Sequence, residues 1–316
     1  STKENVMLTR EQLIRNLEPP RGRVDVILDT DTFNEADDQY ALSYLLLSGE
    51  KLNTVGICAA PFLNANSTSP ADGMEKSYRE ILKLLGLLHR EDLIPAVMRG
   101  ACDYLPDEKT PVMTDASEFM VREARKHSPE NPLYIVSIAA ATNVASAILT
   151  DPVAMTENVV HVWLGGHALH WVDTNEFNMR QDVAAARILF GCGAPLVQLP
   201  CCGVVTGLAT TKPELEHWLS GKNPLCDYLV RIAVDDVESR HKGIAWDRTI
   251  WDVTAVGWLL NENDRMMLSY LRPAAIPQYD NTYSEQPTRH PMRYVYFIKR
   301  YDLMTDLFLK LAGAGQ

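Results

Sequence analysis

The chain has 316 residues, 46% of them hydrophobic, with 41 acidic residues against 30 lysines and arginines and a formal net charge of -11. That length supports one large α/β domain with a sizeable core, or two small domains, and the acidic balance argues against a DNA or RNA partner held through its phosphates. No apolar run approaches the roughly 18–20 residues of a bilayer span, and the opening, Ser1 to Glu18, is polar and charged without a signal-peptide core.

In chain order, short β-branched runs alternate with longer helical periods. Val24 to Asp29 predicts a strand ending in carboxylates, and Asp37 to Leu47 a helix. Leu52 to Ala59 predicts a second strand, Met74 to Leu85 a helix, Leu133 to Ile138 a strand and Thr142 to Leu149 a short helix. Val159 to Leu164 reads as a buried strand, Asp182 to Phe190 as a helix and Leu196 to Leu199 as a strand. Leu225 to Val237 and Val253 to Leu260 read as helices, and the tail holds a strand at Tyr294 to Ile298 and a helix near Leu303 to Leu311. With no repeat or linker to divide residues 1–316, the pattern predicts a single α/β domain. Its core is Rossmann-like, a mostly parallel open sheet flanked by helices. Ligands of such sheets bind outside the carboxyl ends of the strands, which points to the residues after Leu28, Val136 and Leu164.

Six cysteines, Cys58, Cys102, Cys192, Cys201, Cys202 and Cys226, form no C-x-x-C pair. They read as buried, reduced thiols of a cytoplasmic protein, and vicinal Cys201–Cys202 would bridge only with strain. His89, His127 and His217 lie in polar helical contexts and read as solvated. The stretch from Arg289 to Arg300 is locally basic but too short to make a nucleic-acid site.

The segment Asp29-Thr30-Asp31-Thr32-Phe33-Asn34-Glu35-Ala36-Asp37-Asp38 places five carboxylates in ten residues between a strand and a helix. Such crowding is tolerated at a strand end when a cation offsets the repulsion, and hard oxygen donors favour Ca²⁺ or Mg²⁺ over zinc. The plainer reading is a solvated acidic loop whose Asp residues cap the next helix. An EF-hand loop fails, because counting from Asp29 places Asn34 where Gly is needed and Tyr40 where Glu is needed. An aspartyl-phosphate phosphatase also opens with D-x-D, but Phe33 stands where that motif carries a small residue.

Asp29-Thr30-Asp31 and Asp37-Asp38 resemble the D-T-D-P-G-x-D-D signature of the inosine-uridine nucleoside hydrolase family, with a connecting loop two residues longer. The resemblance continues in order. Ile135 to Asn143 is similar to the family's strand, turn and T-N helix start, and Leu164-Gly165-Gly166 to its M-G-G. Asn175-Glu176-Phe177-Asn178 with Asp182 is similar to its A-E-F-N…D stretch, and Trp251-Asp252 stands where the family has a final metal-binding Asp. Together these cover roughly Val24 to Leu260.

The resemblance implies a Ca²⁺-dependent nucleoside N-ribohydrolase of nucleoside salvage, usually a homodimer or homotetramer. Asp31 would be both metal ligand and base, with Asp38, Asp252 and the Ile138 carbonyl completing the protein ligands. Asp37 and Asn178 would hold ribose hydroxyls, Glu176 the 5′-hydroxyl, and Asp29 would orient the loop. Asn64, just after the second strand, could reach the sugar. Members that accept both base classes carry His before the last Asp as a leaving-group acid. Trp251 stands there in this chain, as in the purine-preferring branch, and an indole stacked on a purine favours its protonation. His241 as a substitute acid, and Trp246, lie in a segment that could close over the base. His167 and His170 follow Gly165-Gly166 and could line the pocket. Two alternatives stay open: a pyrimidine-nucleoside or other ribosyl hydrolase, and a non-catalytic nucleoside or metal binder on the same fold.

Overall fold

The computed structural model describes residues 8–316; of the polar opening, residues 1–7 lie outside the described residues. Eight strands form the central sheet: β1 (Val24–Thr30), β2 (Leu52–Ala59), β3 (Val97–Arg99), β4 (Leu133–Ile138), β5 (Val159–Leu164), β6 (Leu196–Leu199), β7 (Met267–Pro273) and β8 (Pro291–Ile298). Their spatial order is β3-β2-β1-β4-β5-β6-β8-β7. Every neighbouring pair is parallel except β8 with β7, which closes one edge antiparallel.

Alternation along each strand divides the interior in two. Val26 and Leu28 of β1, Ile57 and Ala59 of β2, and Val136 and Ile138 of β4 face one core. Ile27, Cys58 and Ile135, next to them in sequence, face the other. Both faces are buried, so these strands read as near-continuous apolar runs.

Twelve helices surround the sheet among the described residues. They are α1 (Arg10–Asn16), α2 (Asp38–Leu46), α3 (Pro70–Leu87), α4 (Asp115–Ala124), α5 (Thr142–Thr150), α6 (Pro152–Glu157), α7 (Phe177–Gln181), α8 (Val183–Gly191), α9 (Lys212–Leu219), α10 (Pro224–His241), α11 (Val253–Trp258) and α12 (Arg300–Ala312). Helices α2, α3, α10, α11 and α12 pack on the first face, and α4, α5 and α8 on the second. Side-chain caps fix several boundaries. Asp182 caps α8 by accepting from Ala185 N–H at 3.0 Å, so that helix begins one residue later than the apolar spacing predicts. Asn223 caps α10, which then runs to His241, four residues beyond the expected end. No described helix is long and apolar enough to cross a membrane.

Two sequence expectations are corrected. Cys102 is exposed, and Cys192 and Cys202 are only half-buried. The His127 side chain is buried: its ring bridges Asp25 at 2.9 Å and the Glu123 carbonyl at 2.7 Å, tying the end of α4 to β1. The basic tail serves packing. Arg289 donates to the Phe190 carbonyl, Arg293 to Leu17 and Glu18, and Arg300 to the Ala209 carbonyl and Glu214.

Candidate active site

The strand order reverses direction at β1, whose neighbours are β2 and β4, so the carboxyl end of β1 opens onto the crevice where doubly wound sheets bind ligands. In register, Thr30 stands beside Ile138 of β4 and Ala59 of β2. The chain then turns sharply: Asn34 N–H donates to the Asp31 carbonyl at 2.8 Å. Thr30 Oγ1 donates to Asp38 Oδ2 at 2.6 Å and anchors the carboxylate that opens α2. The amides of Asn64 and Asn66 both donate to the Asn34 carbonyl, at 2.9 and 2.8 Å.

Asp37 and Asp252 stand at the N-cap positions of α2 and α11, yet neither side chain caps its helix. Both turn instead toward Asp38. One oxygen each from Asp37, Asp38 and Asp252 lies within 4.8 Å of the other two. Asp31 lies beside Asp38, and all four residues are at most 4% exposed. The solvated, helix-capping loop considered from sequence is therefore not what forms. Burial, reinforced by the neighbouring carboxylates, pushes Asp31 and Asp252 well above the ordinary carboxylate range. Asp37 is pushed up to about 6 by burial and Asp38, against the opposing pull of Arg248. The donors fit a cation: Oδ1 of Asp31 and Oδ1 of Asp38 are buried without any hydrogen-bond partner, a costly state that a hard divalent ion would relieve.

Around this cluster lies a cavity of about 190 Å³, lined on the metal side by Asn34, Glu35, Asp37, Asp252 and Ile138. The opposite wall comes from the segment after β5. Gly166 has φ +68°, and a Cβ there would lie 2.1 Å from Tyr283 Oη, so only glycine fits that turn. The turn lets Gly166 N–H donate to Glu176 Oε2 at 2.9 Å. Asn178 and Met179 N–H also donate to Glu176, at 2.8 and 2.9 Å. Burial raises Glu176 to about 7 against those three bonds. Asn178 donates its amide to the Leu164 carbonyl at 2.9 Å. Asp182 ties this wall to α5, accepting from Thr142 Oγ1 at 2.6 Å. Deeper support comes from Asn143, which donates to Asp29 Oδ1 at 2.9 Å and to the Ala59 carbonyl at 3.1 Å.

The structure thus gathers Asp37, Ile138, Glu176, Asn178, Trp251 and Asp252 around one cavity, with Asp31 and Asp38 in contact beneath it. Asn64 lies outside the cavity lining, where it braces the acidic loop. His241 and Trp246 line a separate surface depression with Ile244, Ala245 and Asp247. His167 lines the cavity, accepting from Cys202 N–H at 3.1 Å, whereas His170 abuts Gly203. Sequence reasoning missed Phe177, Arg180, Cys201 and Cys202 as lining residues. It also missed Arg248, which pairs with Glu35 at 3.1 Å, with Asp37 at 3.7 Å and with Asp236. The available signal was an arginine four residues before Asp252 in a chain with an acidic excess.

The inosine-uridine preferring nucleoside hydrolase profile matches residues 26–293, from β1 into β8 and across every element of the site. The chain belongs to that family. It is a ribonucleoside N-glycosyl hydrolase, and its family uses a metal ion, which the unpartnered carboxylate oxygens accommodate. Among its relatives, the pyrimidine-specific ribonucleoside hydrolase RihA of Salmonella enteritidis PT4 is 26% identical over 266 residues, covering 74% of this chain and 79% of RihA. Among solved structures, a plant nucleoside hydrolase superposes with a TM-score of 0.73 at 19% identity, over 92% of this chain and 99% of its own. The purine-preferring ribonucleoside hydrolase from Gardnerella vaginalis gives 0.71 at 18% identity, over 92% and 98%. These likenesses bear out the open, mostly parallel sheet expected from sequence.

Proposed function

We propose that this nucleoside hydrolase uses Ca²⁺, held by Asp31, Asp38, Asp252 and the Ile138 carbonyl, and that it favours purine ribonucleosides. The observation that supports the metal assignment is that Asp31 and Asp38, lying beside each other, each bury an unpartnered Oδ1, while Asp38 also gathers with Asp37 and Asp252. When bound, the ion supplies the charge that lowers the pKa of a water and orients the ribose hydroxyls. Asp31 takes the proton of the attacking water, as a buried carboxylate of raised basicity can. Asp37 and Asn178 accept and donate hydrogen bonds to the ribose hydroxyls, and Glu176 holds the 5′-hydroxyl. The bond from C1′ to the base nitrogen breaks with its electron pair leaving on the base, so positive charge builds on the ribose ring. Carboxylates on both sides of the ring favour that charge.

Purine preference rests on Trp251, which lines the cavity immediately before Asp252, with Phe177 a second aromatic in the lining. An indole face stabilises a base that gains positive character as it leaves. The pyrimidine reading has the name of the RihA relatives in its favour. Base release from inosine, adenosine, guanosine, uridine and cytidine decides between them. A purine kcat/KM about tenfold or more above that for uridine supports the proposal, and uridine faster than inosine overturns it.

A further inference from the structure

The Glu176 carboxylate accepts three backbone N–H bonds, from Gly166, Asn178 and Met179. A carboxylate offers about four acceptor positions, so about one is left for a substrate hydroxyl, and the other three fix its direction. Asn178 and Met179 belong to α7, which Glu176 itself caps. Gly166 stands ten residues earlier in the chain, so its N–H stays in line only if the loop from Gly166 to Glu176 is held.

A short hairpin near the C-terminus holds that loop. Ile276–Pro277 pairs antiparallel with Tyr283–Ser284. Arg187 of α8 anchors the hairpin, donating to the Pro277 carbonyl at 2.8 Å and to Gln278 Oε1 at 2.9 Å. At one end of the loop, Tyr283 Oη donates to the His167 carbonyl at 3.4 Å and accepts from Gln198 Nε2 at 2.9 Å. Gln198 also donates to the Gly165 carbonyl at 3.0 Å. Tyr283 Oη lies 2.1 Å from where a Gly166 Cβ would stand, directly against the turn that offers its N–H to Glu176. At the other end, Thr174 N–H donates to the Asn281 carbonyl at 2.9 Å, and the Thr174 carbonyl accepts from Glu176 N–H at 2.7 Å. Asn281 has φ +64°, a left-handed turn conformation that asparagine tolerates. The hairpin thus grips both the backbone of Glu176 and the turn that donates to its carboxylate.

We propose that Tyr283 is a positioning residue for the 5′ side of the sugar, latching the Gly166–Glu176 loop so that the remaining acceptor position of Glu176 meets the 5′-hydroxyl. This rests on the reading above that Glu176 holds the 5′-hydroxyl. Tyr283 does not line the cavity and acts through Gly166 and Glu176. It also lies beyond Leu260, where the motifs that carry the family resemblance end.

The test compares base release by the Ca²⁺-loaded full chain from inosine and from 5′-deoxyinosine. In the wild type, kcat/KM for inosine is about tenfold or more higher, the size of one hydrogen bond to a charged group. Tyr283→Phe keeps the ring and removes Oη. Its kcat/KM for inosine falls by about tenfold, as misplacement of a substrate-holding group does, while that for 5′-deoxyinosine stays near the wild-type value. A merely structural role would lower both substrates alike and leave their ratio unchanged. Gln198→Met removes the donor that holds Tyr283 Oη and lowers the ratio by a second route, should Tyr283→Phe not fold. Glu176→Gln separates the two claims. A ratio lowered in Glu176→Gln but unchanged in Tyr283→Phe and Gln198→Met would overturn the positioning role and leave Glu176 standing. A wild-type ratio near one, or a ratio that Glu176→Gln leaves unchanged, would overturn the reading of Glu176 and the latch with it.

Discussion

Arg248 places its guanidinium 3.7 Å from Asp37 while also pairing with Glu35 at 3.1 Å and with Asp236 near the end of α10. Glu35 belongs to the acidic loop, which is two residues longer than the family signature. One buried cation therefore ties that loop to α10 and places positive charge beside a carboxylate of the site. Arg248 itself is 7% exposed, whereas the Glu35 side chain is 42% exposed, so the pair with Glu35 is discounted for solvent screening. Arg248→Met should destabilise the protein by about 2 kcal/mol, chiefly by leaving Asp37 and Asp236 unpaired. It should also lower kcat/KM for nucleosides by about tenfold, as the loss of groups that orient metal-site carboxylates does. Arg248→Lys cannot span three carboxylates and should recover only part of either effect. Urea unfolding and steady-state base release measure the two.

Asp31 combines complete burial with an unpartnered Oδ1 and a raised basicity. Asp31→Asn keeps the shape but removes the proton acceptor. Base release should fall by about 10²–10⁴-fold, while the far-ultraviolet circular dichroism spectrum stays that of the wild type. Normal turnover by Asp31→Asn would remove Asp31 from the role of base.

His161 sits in β5, completely enclosed. Its Nε2 contacts the Met155 carbonyl at 2.9 Å, which only the N–H form can donate to, and its Nδ1 is buried without a partner. Burial pushes its pKa down from 6.5 to about 4. The unfolded chain then binds more protons than the folded one between those values, so stability falls as pH drops from 6.5 toward 4. The loss from this residue should reach about 2 kcal/mol near pH 5. His161→Leu should flatten that part of the stability profile, whatever its effect at neutral pH. Chemical denaturation at several pH values reads the slope directly.

Gly166 occupies the left-handed region, with Tyr283 Oη where a Cβ would go. Gly166→Ala should cost about 1–3 kcal/mol and should displace the backbone N–H that Glu176 accepts. Activity should fall together with melting temperature, and a variant as stable and active as the wild type would show the turn to be permissive.

Much of the fold was legible because buried parallel strands announce themselves as apolar runs. Leu52 to Ala59, Leu133 to Ile138, Val159 to Leu164 and Leu196 to Leu199 form with the bounds their sequence predicts. Strand β3 escaped because three residues carry no period. Strand β7 escaped because the edge leaves much of Met267–Pro273 half-exposed or exposed, which blurs alternation. In the site, the carboxylates were visible as an improbable density of like charge in Asp29 to Asp38. That Asp252 joins them depends on how α11 packs against α2, which no local pattern encodes. His241 and Trp246 were assigned by nearness in sequence to Trp251, yet the end of α10 and the loop after it place them in a separate depression. Asn64 was expected to reach the sugar, but it lies outside the cavity lining and its amide donates to the Asn34 carbonyl. Arg248 has chemical meaning only through what surrounds it.

The proposed divalent ion shared by Asp31, Asp38 and Asp252 is tested most directly by calorimetric titration of chelator-stripped protein with Ca²⁺. The predicted result is one ion bound per chain, binding lost in both Asp38→Asn and Asp252→Asn, and base release that returns in proportion to the sites filled. Full activity in the stripped wild-type protein, or undiminished Ca²⁺ binding in both variants, would contradict it.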